Sequence, residues 1–219
     1  MKLRLYQFNS SPFCAKVRKI LDYKGLPCEV VEVDYIERNE LVAASGQATV
    51  PALTFADGGT VHDSEKIVER LELLQPEPTL FPSGLSGVHR ALARYFDTEF
   101  EDLMLRAAMP DLLEARRRDG AQRLAMFRLI KERKYGEGFC ERMCEQSAAN
   151  RRRVLEAMAP FEDTLSEKAF LAGRIGLADF ALYGQLWLLA FGGELKIPSE
   201  FPNLRAFFMR IDRISFHLE

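Results

Sequence analysis

Three prolines within ten residues, Pro76, Pro78 and Pro82 between Gln75 and Gly84, are the strongest constraint in this 219-residue sequence. Proline fixes φ, removes an N–H donor and pushes the residue before it into extended backbone, so neither a helix nor a central strand runs through such a segment. The stretch is predicted to be an extended linker that few contacts cross. Before it, short β-rich runs alternate with amphipathic ones. Beyond it strand signals vanish, and apolar residues recur at helical spacing over roughly 86–108, 120–133, 138–166, 177–190 and 203–213. Pro110, Gly136, Gly173 with Gly176, Gly192 with Gly193, and Pro198 with Pro202 supply the breaks. Two domains are expected, 1–78 and 85–219, the second all-α.

In the first half, residues 3–8 are β-rich, and Pro12 opens a helical pattern (Phe13, Val17, Ile20, Leu21) that Gly25 stops. Cys28–Val33 reads as a strand buried on at least one face, and Asn39–Ala44 as a short helix. Ala52–Phe55 and Thr60–His62 flank Asp57-Gly58-Gly59, a hairpin turn signal, before a helix marked by Ile67, Leu71 and Leu74. The order βαβ then ββα gives one parallel pair with a helical crossover and one antiparallel pair. The predicted fold class is therefore a thioredoxin-like α/β domain (βαβ-ββα) followed by an all-helical domain.

Lys and Arg (30) nearly cancel Asp and Glu (32), so no net field recruits nucleic acid or an anionic membrane. The runs Arg116-Arg117-Arg118 and Arg151-Arg152-Arg153 are expected to be solvated helix faces. No apolar run approaches the roughly 20 residues that span a bilayer, and a soluble cytoplasmic chain is expected. Four cysteines at these spacings form no disulfide framework, and no metal set is expected; Cys140 and Cys144, one helical turn apart, read as helix packing. His62, His89 and His217 form no ligand or triad spacing and receive no role, and Trp187 and Tyr6 read as core.

Chemistry-bearing residues fall in three places. Ser10-Ser11-Pro12-Phe13-Cys14 lies between the first strand and first helix, so Ser11 stands at a helix N-cap, where unsatisfied N–H groups and the helix dipole stabilise an anion such as a thiolate. Thr49-Val50-Pro51-Ala52 puts a proline at the entry of the third strand. A cis bond there would turn Val50 outward, free to pair with an extended peptide. Asp63-Ser64 opens the third helix directly after a strand: the helix end and the serine hydroxyl suit a carboxylate, Asp63 an ammonium, and a γ-glutamyl group carries both. Ser11 and Asp63-Ser64, each taken alone, also read as ordinary capping.

Together these motifs, the linker and the helical half resemble the cytosolic glutathione transferase superfamily over essentially the full length. Ser11-Pro12-Phe13-Cys14 is similar to a glutaredoxin Cys-Pro-Phe-Cys whose nucleophilic first cysteine is replaced, and aligned at Val17-Arg18 the position of Ser11 matches the catalytic serine of zeta-type members. The resemblance implies a glutathione transferase fold and glutathione as co-substrate, with Ser11 as the catalytic residue. Phe13, Arg38, Val50, Pro51, Asp63 and Ser64 are the implied substrate-binding residues, with Arg38 reaching the glycine carboxylate. It further implies a homodimer and a small, hydrophobic electrophile held over Ser11 against the first helices of the second domain, with Met104, Leu105, Arg106 and Met109 as its lining. In Phe170–Asp179 the family's buried capping box lacks its Ser or Thr, Gly176 standing in that place, so a weaker helix cap is expected with Asp179 as a folding residue. Two other functions stay open: a glutathione-dependent thiol-disulfide oxidoreductase working through Cys14, and a non-enzymatic adaptor of the same fold.

Overall fold

The computed structural model describes residues 2–215. Four strands, β1 (Leu3–Gln7), β2 (Cys28–Glu32), β3 (Ala52–Thr54) and β4 (Thr60–His62), form one sheet in the order β2-β1-β3-β4. Helix α1 (Pro12–Tyr23) crosses between the parallel β1 and β2, while β3 runs antiparallel to both β1 and β4. Between β2 and β3 lies α2 (Asn39–Ser45), and α3 (Ser64–Leu74) follows β4. Alternation along β1 sends Leu3 and Leu5 into the main core and Tyr6 into a smaller cluster with Val33, Leu41 and Ala52. The hairpin turns where the sequence asks: Gly58 has φ +86°, and Asp57 Oδ1 accepts from Gly59 N–H at 2.9 Å. β2 is an edge strand, and Val30 on it is 46% exposed, so its burial is slighter than its composition suggests.

The helical half comprises α4 (Ser86–Tyr95), which passes through a π-type turn at Phe96–Phe100 into α5 (Glu101–Arg118), then α6 (Ala121–Tyr135), α7 (Phe139–Glu145), α8 (Ser147–Glu167), α9 (Leu177–Leu186) and α10 (Pro202–Asp212). Two expectations fail. Pro110 lies inside α5 rather than ending it: Met109, Leu112 and Leu113 are all buried around it, and their packing outweighs the one backbone bond a proline removes. The single helix expected over 138–166 is two helices meeting at Gln146. Among the described residues no helix is long and apolar enough to cross a membrane.

The proline-rich segment is strapped down instead of standing free. The fully buried Lys24 ammonium donates to Gln75 O (2.6 Å) and Pro78 O (3.1 Å) and pairs with Glu72 at 2.7 Å. Glu72 in turn accepts from Thr79 Oγ1 and Leu80 N–H, and Leu80 O receives Leu177 N–H at 2.9 Å. Buried residues of both halves form one continuous core. One close seam is α1 against α9, where a Cβ on Gly184 would fall 2.5 Å from Pro12 O.

The N-terminus of α9 is capped by a residue from another helix. His89 of α4 is buried, and its Nδ1 accepts from Ala178 N–H at 3.3 Å. Its ring fills the space of the missing cap side chain, since a Cβ on Gly176 would sit 2.5 Å from His89 Cε1. Asp179 completes the box by accepting from Leu171 and Gly176 N–H, both at 2.9 Å, although burial pushes its carboxyl up to about 7. The expected weak cap is therefore a cap supplied across the core, and His89, passed over in sequence, has a role. His62 lies in β4, and His217 falls outside the described residues.

Burial holds the His89 imidazole below its ordinary value of 6.5, so its contribution is full above that pH and shrinks as pH falls and the unfolded chain takes up the proton. His89→Ala should cost about 2–3 kcal/mol from cap and cavity together, with the gap to wild type narrowing below pH 6.5 in chemical denaturation. Gly176→Ser should destabilise wild type yet partly rescue His89→Ala, because the serine then has room to cap.

Candidate functional site

Three turns share one end of the sheet. The register Tyr6↔Ala52↔His62 aligns the last residues of β1, the first of β3 and the last of β4. The segment after Gln7, the Val50-Pro51 entry and the Asp63-Ser64 exit therefore lie side by side. With strands about 4.8 Å apart, β1 and β4 are separated by about 10 Å, the length of an extended tripeptide. The Val50-Pro51 bond is cis, as its place at the strand entry suggested.

Ser11 caps α1 with extended backbone (φ −85°, ψ 123°), its Oγ accepting from Cys14 N–H at 3.3 Å. That bond uses a lone pair and leaves the hydroxyl proton free. The loop before it is pinned from three elements: Trp187 Nε1 donates to Asn9 O (2.6 Å), Glu32 Oε1 accepts from Asn9 N–H (2.6 Å), and Arg116 Nη2 donates to Ser10 Oγ (2.6 Å). Cys14 is wholly buried, and burial pushes its thiol up to about 12 despite the Ser11 hydroxyl, the Phe8 backbone and the Arg18 charge nearby. Phe13 stands half-buried, its ring 5.5 Å from the Lys16 ammonium.

Asp63 is the one non-glycine residue with positive φ among those described (φ 78°, ψ 125°), a conformation costing about 1–3 kcal/mol that persists where the surroundings impose it. Its Oδ1 caps α3 by accepting from Glu65 N–H (2.9 Å) and Lys66 N–H (3.4 Å), while Ser64 is buried at the first helical position. A second acidic group feels Asp63: Asp97, in the π-type turn, has its carboxyl raised by burial and by Asp63, against the pull of Lys16, whose Nζ lies 2.5 Å from Asp97 Oδ2.

Arg38 sits at the same end of the sheet but serves its own loop. Its Nη1 donates to Ala48 O at 2.6 Å, and Nε and Nη2 donate to Tyr35 O. Beside the Ser10 loop opens a cleft of about 490 Å³, bounded by Phe8, Tyr35, Arg116, Arg118, Arg123 and Phe191. Met104, Leu105 and Met109 do not reach it, being buried in the helical core, and Arg106 pairs with Asp102 at 2.6 Å. Because α5 continues through Pro110, its last turns rather than its first meet the loop.

Arg116 departs from the solvated face expected of its run: its side chain is 14% exposed, against 63% and 77% for Arg117 and Arg118. The signal was present, since Arg116 follows Leu112 and Leu113 by four and three residues and so continues their buried stripe. Trp187 is half-buried, its ring on the core and its N–H on the loop. Nothing in local sequence marks that bond, which joins positions 178 residues apart.

Known proteins share this arrangement. The glutathione S-transferase N-terminal domain family matches residues 5–79, and the glutathione S-transferase C-terminal domain family matches residues 145–210. Prostaglandin E synthase 2 of Danio rerio is 42% identical over 72 residues, covering 33% of this chain and only 19% of that protein's length. A glutathione S-transferase from Rhodospirillum rubrum F11 superposes with a TM-score of 0.73 at 25% identity, covering 96% of this chain and 88% of that one. Another, from Methylobacterium radiotolerans and solved in complex with glutathione sulfonate, gives 0.66 at 26% identity, covering 99% and 93%. With both domains matched and the whole fold shared, the chain belongs to the glutathione transferase superfamily.

Proposed function

We infer that this protein binds glutathione along the end of the sheet, holds its sulfur as a thiolate beside Ser11, and directs it at a small electrophile in the adjoining cleft. The observation that carries this reading is the register Tyr6↔Ala52↔His62, which supports a single extended peptide touching all three turns. Val50 pairs with the peptide backbone, Pro51 setting its direction. Asp63, with Oδ2 outside its capping bonds, takes the α-ammonium, and Ser64 with the α3 N-terminus takes the γ-glutamyl carboxylate. Phe13 and Arg38 flank the cysteinyl-glycine end. The electrophile meets aromatic walls (Phe8, Tyr35, Phe191) and arginines, a more polar site than the hydrophobic one expected. A homodimer belongs to this reading: Leu73, Leu74 and Val88 on α3 and α4 expose apolar surface that suits a second copy.

Calorimetric titration should detect glutathione binding, and Asp63→Ala should weaken it about 10-fold or more. Ser11→Ala should lower kcat/KM for a conjugation substrate about 10- to 100-fold while changing glutathione affinity little. No heat at millimolar glutathione would overturn the enzyme reading in favour of the adaptor.

Cys14 takes no part in this chemistry, because a buried thiol held near 12 supplies negligible thiolate at neutral pH. Cys14→Ala should retain conjugation activity, and native Cys14 should resist a disulfide reagent at pH 8 when followed by mass spectrometry. Activity lost in Cys14→Ala but kept in Ser11→Ala would reverse the assignment.

A further inference from the structure

Ser10 has an environment unlike that of its neighbour. Arg116 donates to Ser10 Oγ at 2.6 Å, lies over the Tyr35 ring at 4.9 Å, and donates from Nη1 to Asp119 Oδ2 at 2.6 Å. Three contacts on one planar group fix its direction, and it is mostly withdrawn from solvent. The loop that carries Ser10 is equally constrained, since Asn9 is bonded through both N–H and C=O.

A serine hydroxyl has one proton and two lone pairs, whereas a guanidinium can only donate. The contact therefore spends a lone pair of Ser10 and leaves its proton available, and Ser10 donates to no acceptor among the described residues. A hydroxyl whose oxygen already accepts from a cation is the stronger donor for it. Ser10 also lines the 490 Å³ cleft. The other charges around that cleft are engaged: Arg123 with Asp34, Arg118 with Glu114, and Glu32 with the Gln7 side chain and Asn9 N–H. Asp119 is held by Arg116 itself.

We propose that Ser10 is a second hydroxyl donor to the glutathione thiolate and that Arg116, from the helical domain, is the positioning residue that aims and polarises it. This rests on the transferase reading. When the thiol ionises, the S–H bond breaks, its electron pair stays on sulfur and the proton leaves to water. Ser10 keeps its own proton and shares it with the sulfur. Ser11 approaches from the helix end and Ser10 from the cleft wall, so the sulfur is gripped between hydroxyls supported by different domains.

The test is the ultraviolet thiolate band of glutathione bound to the full-length protein, followed against pH alongside the pH profile of kcat/KM. Ser10→Ala and Arg116→Gln should each lower the bound thiolate fraction near pH 6.5 about three- to tenfold, with glutathione affinity nearly unchanged. Their combination should be little worse than either alone, because both remove one hydrogen bond. Ser10→Thr, which keeps the hydroxyl, should restore the band; a purely structural role for Arg116 would move stability but not the spectrum. A wild-type band that only Ser11→Ala moves would overturn this inference and leave the transferase reading intact. The absence of any band in wild type saturated with glutathione would overturn both.

Discussion

The absence of a side chain at Gly184 governs the architecture. It lets α9 lie so close to α1 that a single methyl group there would meet the Pro12 carbonyl at 2.5 Å. Pro12 begins the helix whose N-terminus forms the centre of the candidate site, so this seam fixes where that terminus stands. Contacts radiate from it. Just past α9, Trp187 reaches Asn9 O, and along α1 Lys16 meets Asp97 while Lys19 donates to Asp212 O and Ile214 O at the end of α10. The helical half therefore sets the position of the loop that carries Asn9 and Ser10, in addition to walling a cleft.

What could be read from the sequence was local. Pro12 after Ser11, the Asp57-Gly58-Gly59 turn, Pro51 at a strand entry and Asp63-Ser64 at a helix start each constrain their own backbone, and the structure keeps every one of those local geometries. What could not be read was pairing across distance. Arg116 and Ser10, Trp187 and Asn9, and His89 and Ala178 are each 89 or more residues apart, and no periodicity joins them. Pro110 misled because a rule about isolated helices was applied where burial of Met109, Leu112 and Leu113 decides. Gly176 misled for the opposite reason: a lost local cap was replaced by a group from another helix.

Sulfur chemistry is partitioned accordingly. Burial raises the thiols of Cys14 and Cys28 to about 12 and that of Cys140 to about 11, and it raises Cys144 as well. Burial thus works against thiolate formation at all four cysteines. The helix end that in a dithiol protein would activate an internal cysteine instead presents serine hydroxyls. In the proposed function it is a ligand's sulfur that meets these hydroxyls.

The strap around Lys24 bears on how such a chain can be recombined. A segment with three prolines looks like a natural crossover point, yet Lys24, Glu72, Gln75, Pro78 and Thr79 interlock there, and Leu80 passes the connection on to Leu177. Exchanging the helical half for that of a distant relative would keep the Lys24 strap, whose partners Glu72, Gln75 and Pro78 all precede it, but would replace the residues that meet Leu80 O, Pro12 O and Asn9 O. A viable chimera would have to keep the Leu80–Leu177 link, the glycine seam and the Trp187 anchor as one block, so the unit that can be inherited intact is larger than either domain.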